Sequence, residues 1–472
     1  MALDVARSSW LPATVLLLAF LRSAAAAGAG VESGAAAAAA LLEFKRALRD
    51  VDGRLSTWNA ATENHPCGWA GVACSAGDEV TGVTLHGLNL HGSLSAAVCA
   101  LPRLAVLNVS WNALAGAIPP GLAACAALEV LDLSANALRG AVPPELCALR
   151  SLRRLDLSEN LLSGEIPDAV GNLAALEELE IDSNKLTGRI PASIRSLKRL
   201  RVIGAGFNDL SGRIPVELTE CVSLEVLRLE ENHLAGTLPR ELARLKNLTS
   251  LVLWQNAFSG EIPPELGNCT NLQMLTLNDN AFSGKIPPEL GQLSSIIQID
   301  LSVNNLTGTI PKAFQNLSNL ETLQLYDNQL HGDIPPLLGA NSNLWILDLS
   351  ENRYLCKHQK LMILNVRSNR LTGTIPKAFQ NLSSLEWLQL YDNQLHGDIP
   401  PLLGSNSNLS VLDLSDNQLT GSIPTDLCKN QNLMSLKLGS NRLSGNIPPG
   451  LKACTTLRRL LLGGNMLTGS FW

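Results

Sequence analysis

The sequence predicts an α/β solenoid: a curved right-handed superhelix with a concave parallel β-sheet, about 17 units of 24 residues and an N-terminal helical cap. Three observations predict it. Asparagines recur at 112, 136, 160 and onward to 352 in steps of 24, then from 369 to 465 in the same step. Around each stands L-x-x-L-x-L-x-x-N-x-L-x-G-x-I-P, as in Leu128, Leu131, Leu133, Asn136, Leu138, Gly140, Val142 and Pro143. Of 472 residues 46% are hydrophobic but only 4% aromatic, so the apolar content is aliphatic. A fixed period of this length marks stacked units that share one core.

Each position in the unit has a physical reason. The L-x-L alternation turns two leucines inward on a short strand and the intervening residues outward. The asparagine is expected to be buried, its amide bonded to backbone groups of adjoining turns. Glycine permits a tight bend, and proline falls where no ladder N–H is needed. The first unit begins at Val80, with Leu88 in the asparagine slot. Strands ~4.8 Å apart then give a sheet on the order of 80 Å long.

Arg7, the apolar run Ala13 to Leu21 and the small residues Ala24 to Ala27 read as a secretory signal over 1–27. Secretion gives meaning to seven glycosylation sequons, at Asn108, Asn247, Asn268, Asn305, Asn316, Asn381 and Asn408. Charged residues are 17%, against a usual ~25%, and the net charge of −6 offers nucleic acid no footprint. No later stretch supplies ~20 consecutive apolar residues, so no membrane span is expected in this chain.

The L-x-G-x-I-P variant resembles the plant-specific class of leucine-rich repeat. Residues 35–79 resemble the N-terminal cap of that class: a helix bearing Leu41, Leu42, Phe44 and Leu48, then Trp58-Asn59, then C-G-W-A-G-V-A-C from Cys67 to Cys74. With the repeats of 80–472, the chain is similar to the ectodomain of a plant leucine-rich repeat receptor-like kinase of the peptide-recognising branch. That resemblance implies a secreted peptide or protein ligand, a shorter leucine-rich repeat co-receptor, no cofactor, and a place outside the plasma membrane. Cys67 and Cys74 flank a turn of the cap and are expected to form a disulfide.

The other eight cysteines fall at two repeat positions. Cys125, Cys221, Cys269 and Cys454 lie 13 residues after their asparagine, and Cys99, Cys147 and Cys428 lie 11 after it, with Cys356 aligned to Cys428. They are expected as small buried apolar residues. Cys428 and Cys454 are placed to bridge, although the spacing does not require it. No Cys or His cluster suggests a metal site.

Two irregularities interrupt the period. Residues 308–352 recur at 373–417 with six differences in 45, at an offset of 65 rather than a multiple of 24. Leu355-Cys356-Lys357 matches Leu427-Cys428-Lys429 at an offset of 72, or three units. A three-unit duplication that lost seven residues after Asn352, or a gene-model error at that place, accounts for both. The wall is expected to pinch near Arg353 to Gln359 while the strand ladder continues. At the other end Phe471 and Trp472 replace the Ile and Pro of the pattern, and no cap follows. There is no kinase Gly-rich loop, H-R-D or D-F-G motif. The chain therefore reads as a partial receptor without enzymatic activity. The alternatives are a secreted defence or decoy protein resembling inhibitors of microbial wall-degrading enzymes, or a truncated receptor copy.

Alternation puts the residues two, four and six before each asparagine on the concave face, with the preceding residue at its rim. The units ending at Asn160, Asn184, Asn208 and Asn232 then present Arg154, Asp156, Glu159, Glu178, Glu180, Asp182, Phe207, Arg228, Glu230 and Glu231. Seven acids stand there against two bases, a surface suited to a basic extended peptide. Trp254 and Tyr326, with Trp387 and Tyr391, add an aromatic stripe. No sequon lies between Asn108 and Asn247, and Asn108 is the one sequon on a concave position. Similar receptors for sulfated peptides carry Arg-x-Gly-Gly where this chain has Gly204-Ala205-Gly206-Phe207, so sulfotyrosine recognition is not carried over. Glu230 and Glu231 point apart on a strand and form no acid–base pair. His86, His91, His331 and His396 fall in the turn region.

Overall fold

The computed structural model describes residues 34–59, 65–331, 344, 346–349, 362–365, 367, 374–375 and 377–469. The leader at 1–27, the segment Arg353 to Gln359 with Cys356, the side chain of Asn381, and Phe471 and Trp472 lie outside the described residues.

The cap begins with the helix Gly34–Arg46, which buries Ala37, Ala38, Leu41 and Phe44 along one stripe. Lys45 ends it by donating from Nζ to the carbonyls of Leu55 (2.7 Å) and Trp58 (3.1 Å). Leu48, expected on the helix, opens a short strand instead: Leu48–Asp50 pairs antiparallel with Leu90 to Gly92. Trp58 stacks on Trp69 with ring centroids 5.7 Å apart, and its Nε1 donates to the Ala70 carbonyl at 2.8 Å. The Cys67–Cys74 disulfide closes this loop. The strand Val72–Cys74 then pairs antiparallel with the first repeat strand, Val80–Thr84, and covers its open edge.

From Val80–Thr84 to Arg459–Leu461, seventeen described strands run parallel in chain order. Leu107, Leu131, Leu155 and Leu179 pair in register, so each inward leucine stacks on the one before. All four are almost wholly buried. The asparagines staple the stack. Asn136 Nδ2 donates to the carbonyls of Val109 (3.0 Å), Leu133 (3.2 Å) and Ser134 (3.0 Å), while its Oδ1 accepts from Leu114 N (3.0 Å). Val109 and Leu114 belong to the preceding unit, so one amide joins two turns. Asn160, Asn208, Asn232 and Asn441 repeat the arrangement.

Among the described residues, the one before each repeat asparagine is left-handed, with φ of 49° at Ala135, 51° at Glu159 and 53° at Phe207. Such a residue costs about 1 kcal/mol when it is not glycine. Ladder bonds offset that cost: Ala135 N donates to Ser158 O at 2.9 Å and Phe207 N to Glu230 O at 2.8 Å. Beyond the bend lies a feature the period did not announce. Leu90–Ser93, Ala113–Gly116, Ala137–Gly140 and Leu161–Glu165 form a second parallel ladder on the flank. Gly140, at φ 86°, lets the chain leave it, and a 3₁₀ turn at Pro144–Ala148 leads to the next strand.

The ladder passes through the shortened unit. Leu323, Leu347, Leu364 and Leu388 pair in succession. Leu347 and Leu364 are only 17 residues apart, as are the neighbouring pair Asp348 and Asn365.

Four of the repeat cysteines depart from the expectation of free buried residues. Cys99–Cys125 and Cys428–Cys454 are disulfides, each spanning 26 residues. Position 11 of one unit therefore lies against position 13 of the next. Cys147, Cys221 and Cys269 are free and buried, because Leu173, Arg195 and Ala243 occupy their facing positions. No described helix is long and apolar enough to cross a membrane.

Candidate ligand-binding face

The strands Arg154–Asp156, Glu178–Glu180, Val202–Gly204, Val226–Arg228 and Ser250–Val252 lie side by side in register. Their outward side chains form three rows. The row two before each asparagine reads Asp182, Gly206, Glu230, Trp254, and the row four before it reads Asp156, Glu180, Gly204, Arg228.

The acids do not form the open patch that counting suggested. Arg154 donates to Asp156 Oδ2 (3.0 Å) and Glu178 Oε2 (2.9 Å). Asp156 is buried and also accepts from Ser158 N (3.1 Å) and Oγ (2.6 Å). Arg228 Nη2 donates to Glu180 Oε2 (2.6 Å) and Asp182 Oδ2 (3.1 Å), and Asp182 Oδ1 accepts from Gly206 N (2.8 Å). Each guanidinium thus takes two carboxylates, because the long arginine side chains lie flat along the sheet. Burial pushes the Glu180 carboxyl well above its ordinary range, with the neighbouring Asp182 adding to it and Arg228 opposing. Glu159, Glu230 and Glu231 stand outside both sets.

Gly204 and Gly206 make room for this packing. A Cβ on Gly204 would lie 2.5 Å from Arg228 Nη2, and one on Gly206 would lie 2.7 Å from Glu230 Cδ. The guanidinium that stands over Gly204 comes from the next unit and is held by two carboxylates. Glu230 is 8% exposed, and its Oε2 has no hydrogen-bond partner. Burial raises its pKa to about 7.

Phe207 is 41% exposed and meets the half-buried Trp254 edge to face, with centroids 5.7 Å apart. Tyr326 is half-buried beside Ser302, and burial raises its hydroxyl pKa. Tyr391 accepts from Arg367 Nη1 at 3.3 Å, and Trp387 is exposed. Glu159 is exposed at the rim.

Asn108 lies on the concave face, yet it is 6% exposed. Its Nδ2 donates to Asp132 Oδ2 (2.8 Å), and its Oδ1 accepts from Ser110 N (2.9 Å) and Oγ (2.7 Å). A sugar on Nδ2 would displace the Asp132 bond. Asn247, Asn268, Asn305, Asn316 and Asn408 are exposed. His86 lies in a turn and is exposed, as expected, with its Nδ1 2.9 Å from Ser110 Oγ.

Sequence reasoning missed the edge of the sheet. Glu129, Arg153, Glu177, Arg201 and Glu225 alternate in sign at steps of 24. Arg153 Nη2 lies 2.8 Å from Glu177, and Arg201 forks onto Glu225 at 2.8 and 2.9 Å. The alternation itself was the signal, and it marks a flank neutralised along its length.

The profile described as leucine rich repeat N-terminal domain matches 36–75. Leucine rich repeat profiles match 102–162, 150–210, 294–353 and 359–419, and also 223–245, 247–269, 271–293 and 432–454. A leucine-rich repeat receptor-like serine/threonine-protein kinase of Arabidopsis thaliana is 49% identical over 79 residues, 17% of this chain and 7% of that protein. The crystal structure of PEPR1-AtPEP1 superposes with a TM-score of 0.81 at 37% identity, covering 91% of this chain and 65% of that one. The Arabidopsis receptor kinase HAESA, in complex with the peptide hormone IDA and the co-receptor SERK1, superposes with a TM-score of 0.76 at 32% identity, covering 91% and 82%. The chain belongs to the leucine-rich repeat family, among the ectodomains of plant receptor kinases. The matches fall on the leucine-rich repeat ectodomain of such receptors. It spans about two thirds of the PEPR1 chain and a small fraction of the curated relatives it matches.

Proposed function

We propose that this chain is the extracellular ligand-recognition region of a plant receptor kinase, and that a secreted, basic, extended peptide lies along its concave face between Arg154 and Trp254. The observation that carries this reading is the charge left after internal pairing. Arg154 and Arg228 each take two carboxylates, while Glu230 and Glu231, in the unit next to the exposed Phe207, and Glu159, two units earlier at the rim, stand outside both sets. Large aromatic side chains are common anchors at protein interfaces. The face also lacks an accessible sequon, since Asn108 is in use and the next one is Asn247. The peptide-hormone complex of HAESA with its co-receptor supports the same mode here, with a shorter leucine-rich repeat partner joining the bound peptide.

The test is to pan the secreted chain against a random dodecapeptide library. Basic peptides should be enriched, and the double variant Phe207→Ala/Trp254→Ala should bind them about tenfold or more weakly. Undiminished affinity in that variant would put the ligand elsewhere.

A further inference from the structure

Three carboxylates, those of Glu180, Asp182 and Glu230, crowd around Gly204 and Gly206, and the guanidinium of Arg228 reaches two of them. Glu230 is the third. Its carboxyl fills the space over Gly206, where a side chain would otherwise stand, and its Oε2 is buried without a partner. A buried unpaired carboxylate oxygen is costly, and native structures retain few of them. Directly beyond it on the same row is Trp254. The rings of Phe207 and Trp254 meet at 5.7 Å although the unit of Glu230 and Glu231 runs between theirs, so they form an aromatic bridge across that unit. An anionic group beside aromatic rings is the environment that takes a cation with an apolar stem.

We propose that Glu230, with Asp182 and Glu231 beside it and the Phe207–Trp254 pair above its strand, is the subsite for one lysine or arginine side chain of the ligand. The ligand's cation supplies the hydrogen bond that Glu230 Oε2 lacks, and the rings cover its aliphatic stem. Arg228 Nη2 is already engaged by Glu180 and Asp182, and Glu230 Oε2 is left without a hydrogen bond beside that guanidinium. This assignment rests on the concave-face reading above and narrows it to one contact.

The experiment is a double-mutant cycle on peptides selected by panning a random dodecapeptide library. The selected peptides should share Lys or Arg at one position. Replacing that residue with norleucine should weaken binding to the native chain about tenfold or more, but binding to Glu230→Gln less than about threefold. Equal losses on both proteins would overturn the subsite and leave the concave-face reading standing. Enrichment without a fixed cation would do the same. A library that yields no binder would overturn both. Glu230→Gln keeps the shape of the side chain, and a melting curve that matches or exceeds the native one verifies that it folds.

Discussion

Arg228 reaches Glu180 across Gly204: the guanidinium of one unit bonds a carboxylate 48 residues earlier, 2.6 Å away, over a strand that has no side chain at the crossing. A methyl group on Gly204 would lie 1.9 Å from Glu180 Oε2 and 2.2 Å from Asp182 Oδ2. Gly204→Ala should therefore push the guanidinium aside and strand two poorly solvated carboxylates, costing about 2 kcal/mol. Denaturant unfolding at pH 7 measures it. An unchanged midpoint would mean that the bridge contributes nothing.

The asparagine staple makes a sharper demand. Asn232 is buried, donates to Ala205, Leu229 and Glu230 carbonyls, and accepts from Leu210 N. Asn232→Ala leaves those groups short of partners and should cost about 2–4 kcal/mol. Hydrogen exchange at the Leu210 amide should accelerate in step. Native-like protection at that amide would refute the staple.

Stability should depend on pH through Glu230. Burial raises its folded pKa to about 7 from an ordinary 4.5, so the folded state holds the proton more tightly than the unfolded chain. The penalty is absent below pH 4.5, grows as pH rises, and is complete above pH 7, where it amounts to about 3 kcal/mol. Glu230→Gln removes the titration. The variant should match the native chain near pH 4.5 and exceed its stability at pH 8. Parallel stability curves from pH 4 to 8 would contradict the burial of that carboxylate.

Glycopeptide mass spectrometry of the secreted chain should find sugar at the exposed Asn247, Asn268, Asn316 or Asn408 and none at Asn108. Occupancy at Asn108 in folded, secreted protein would mean that the Asn108–Asp132 bond is dispensable.

Much of this was readable in advance, because the period is a direct imprint of stacking. Leu131, Leu133 and Asn136 announced an inward strand and a bonded turn, and both are present. The concave rows followed from alternation, so Glu180, Glu230 and Trp254 stand on the face where they were expected. What alternation does not encode is the reach of long side chains between units. Arg228 bridges two strands only because Gly204 is small, and Asp156 is consumed by Ser158 and Arg154, so counting acids overstated the free charge. The Cys99–Cys125 and Cys428–Cys454 bridges were not fixed by the period, because which side chains of neighbouring turns meet shows only once position 11 of one unit is seen to lie on position 13 of the next. Leu48 left the helix because Arg49 and Asp50 pair with His91 and Leu90, a contact 42 residues away that no local pattern carries.

Hydroxyl-radical footprinting of the secreted chain, with and without a peptide selected from the library, tests most directly whether the concave face is the docking surface. Oxidation of Phe207 and Trp254 should fall on binding, while Val222 on the outer wall keeps its reactivity. Protection at Val222, with Phe207 and Trp254 unchanged, would place the ligand elsewhere on the solenoid.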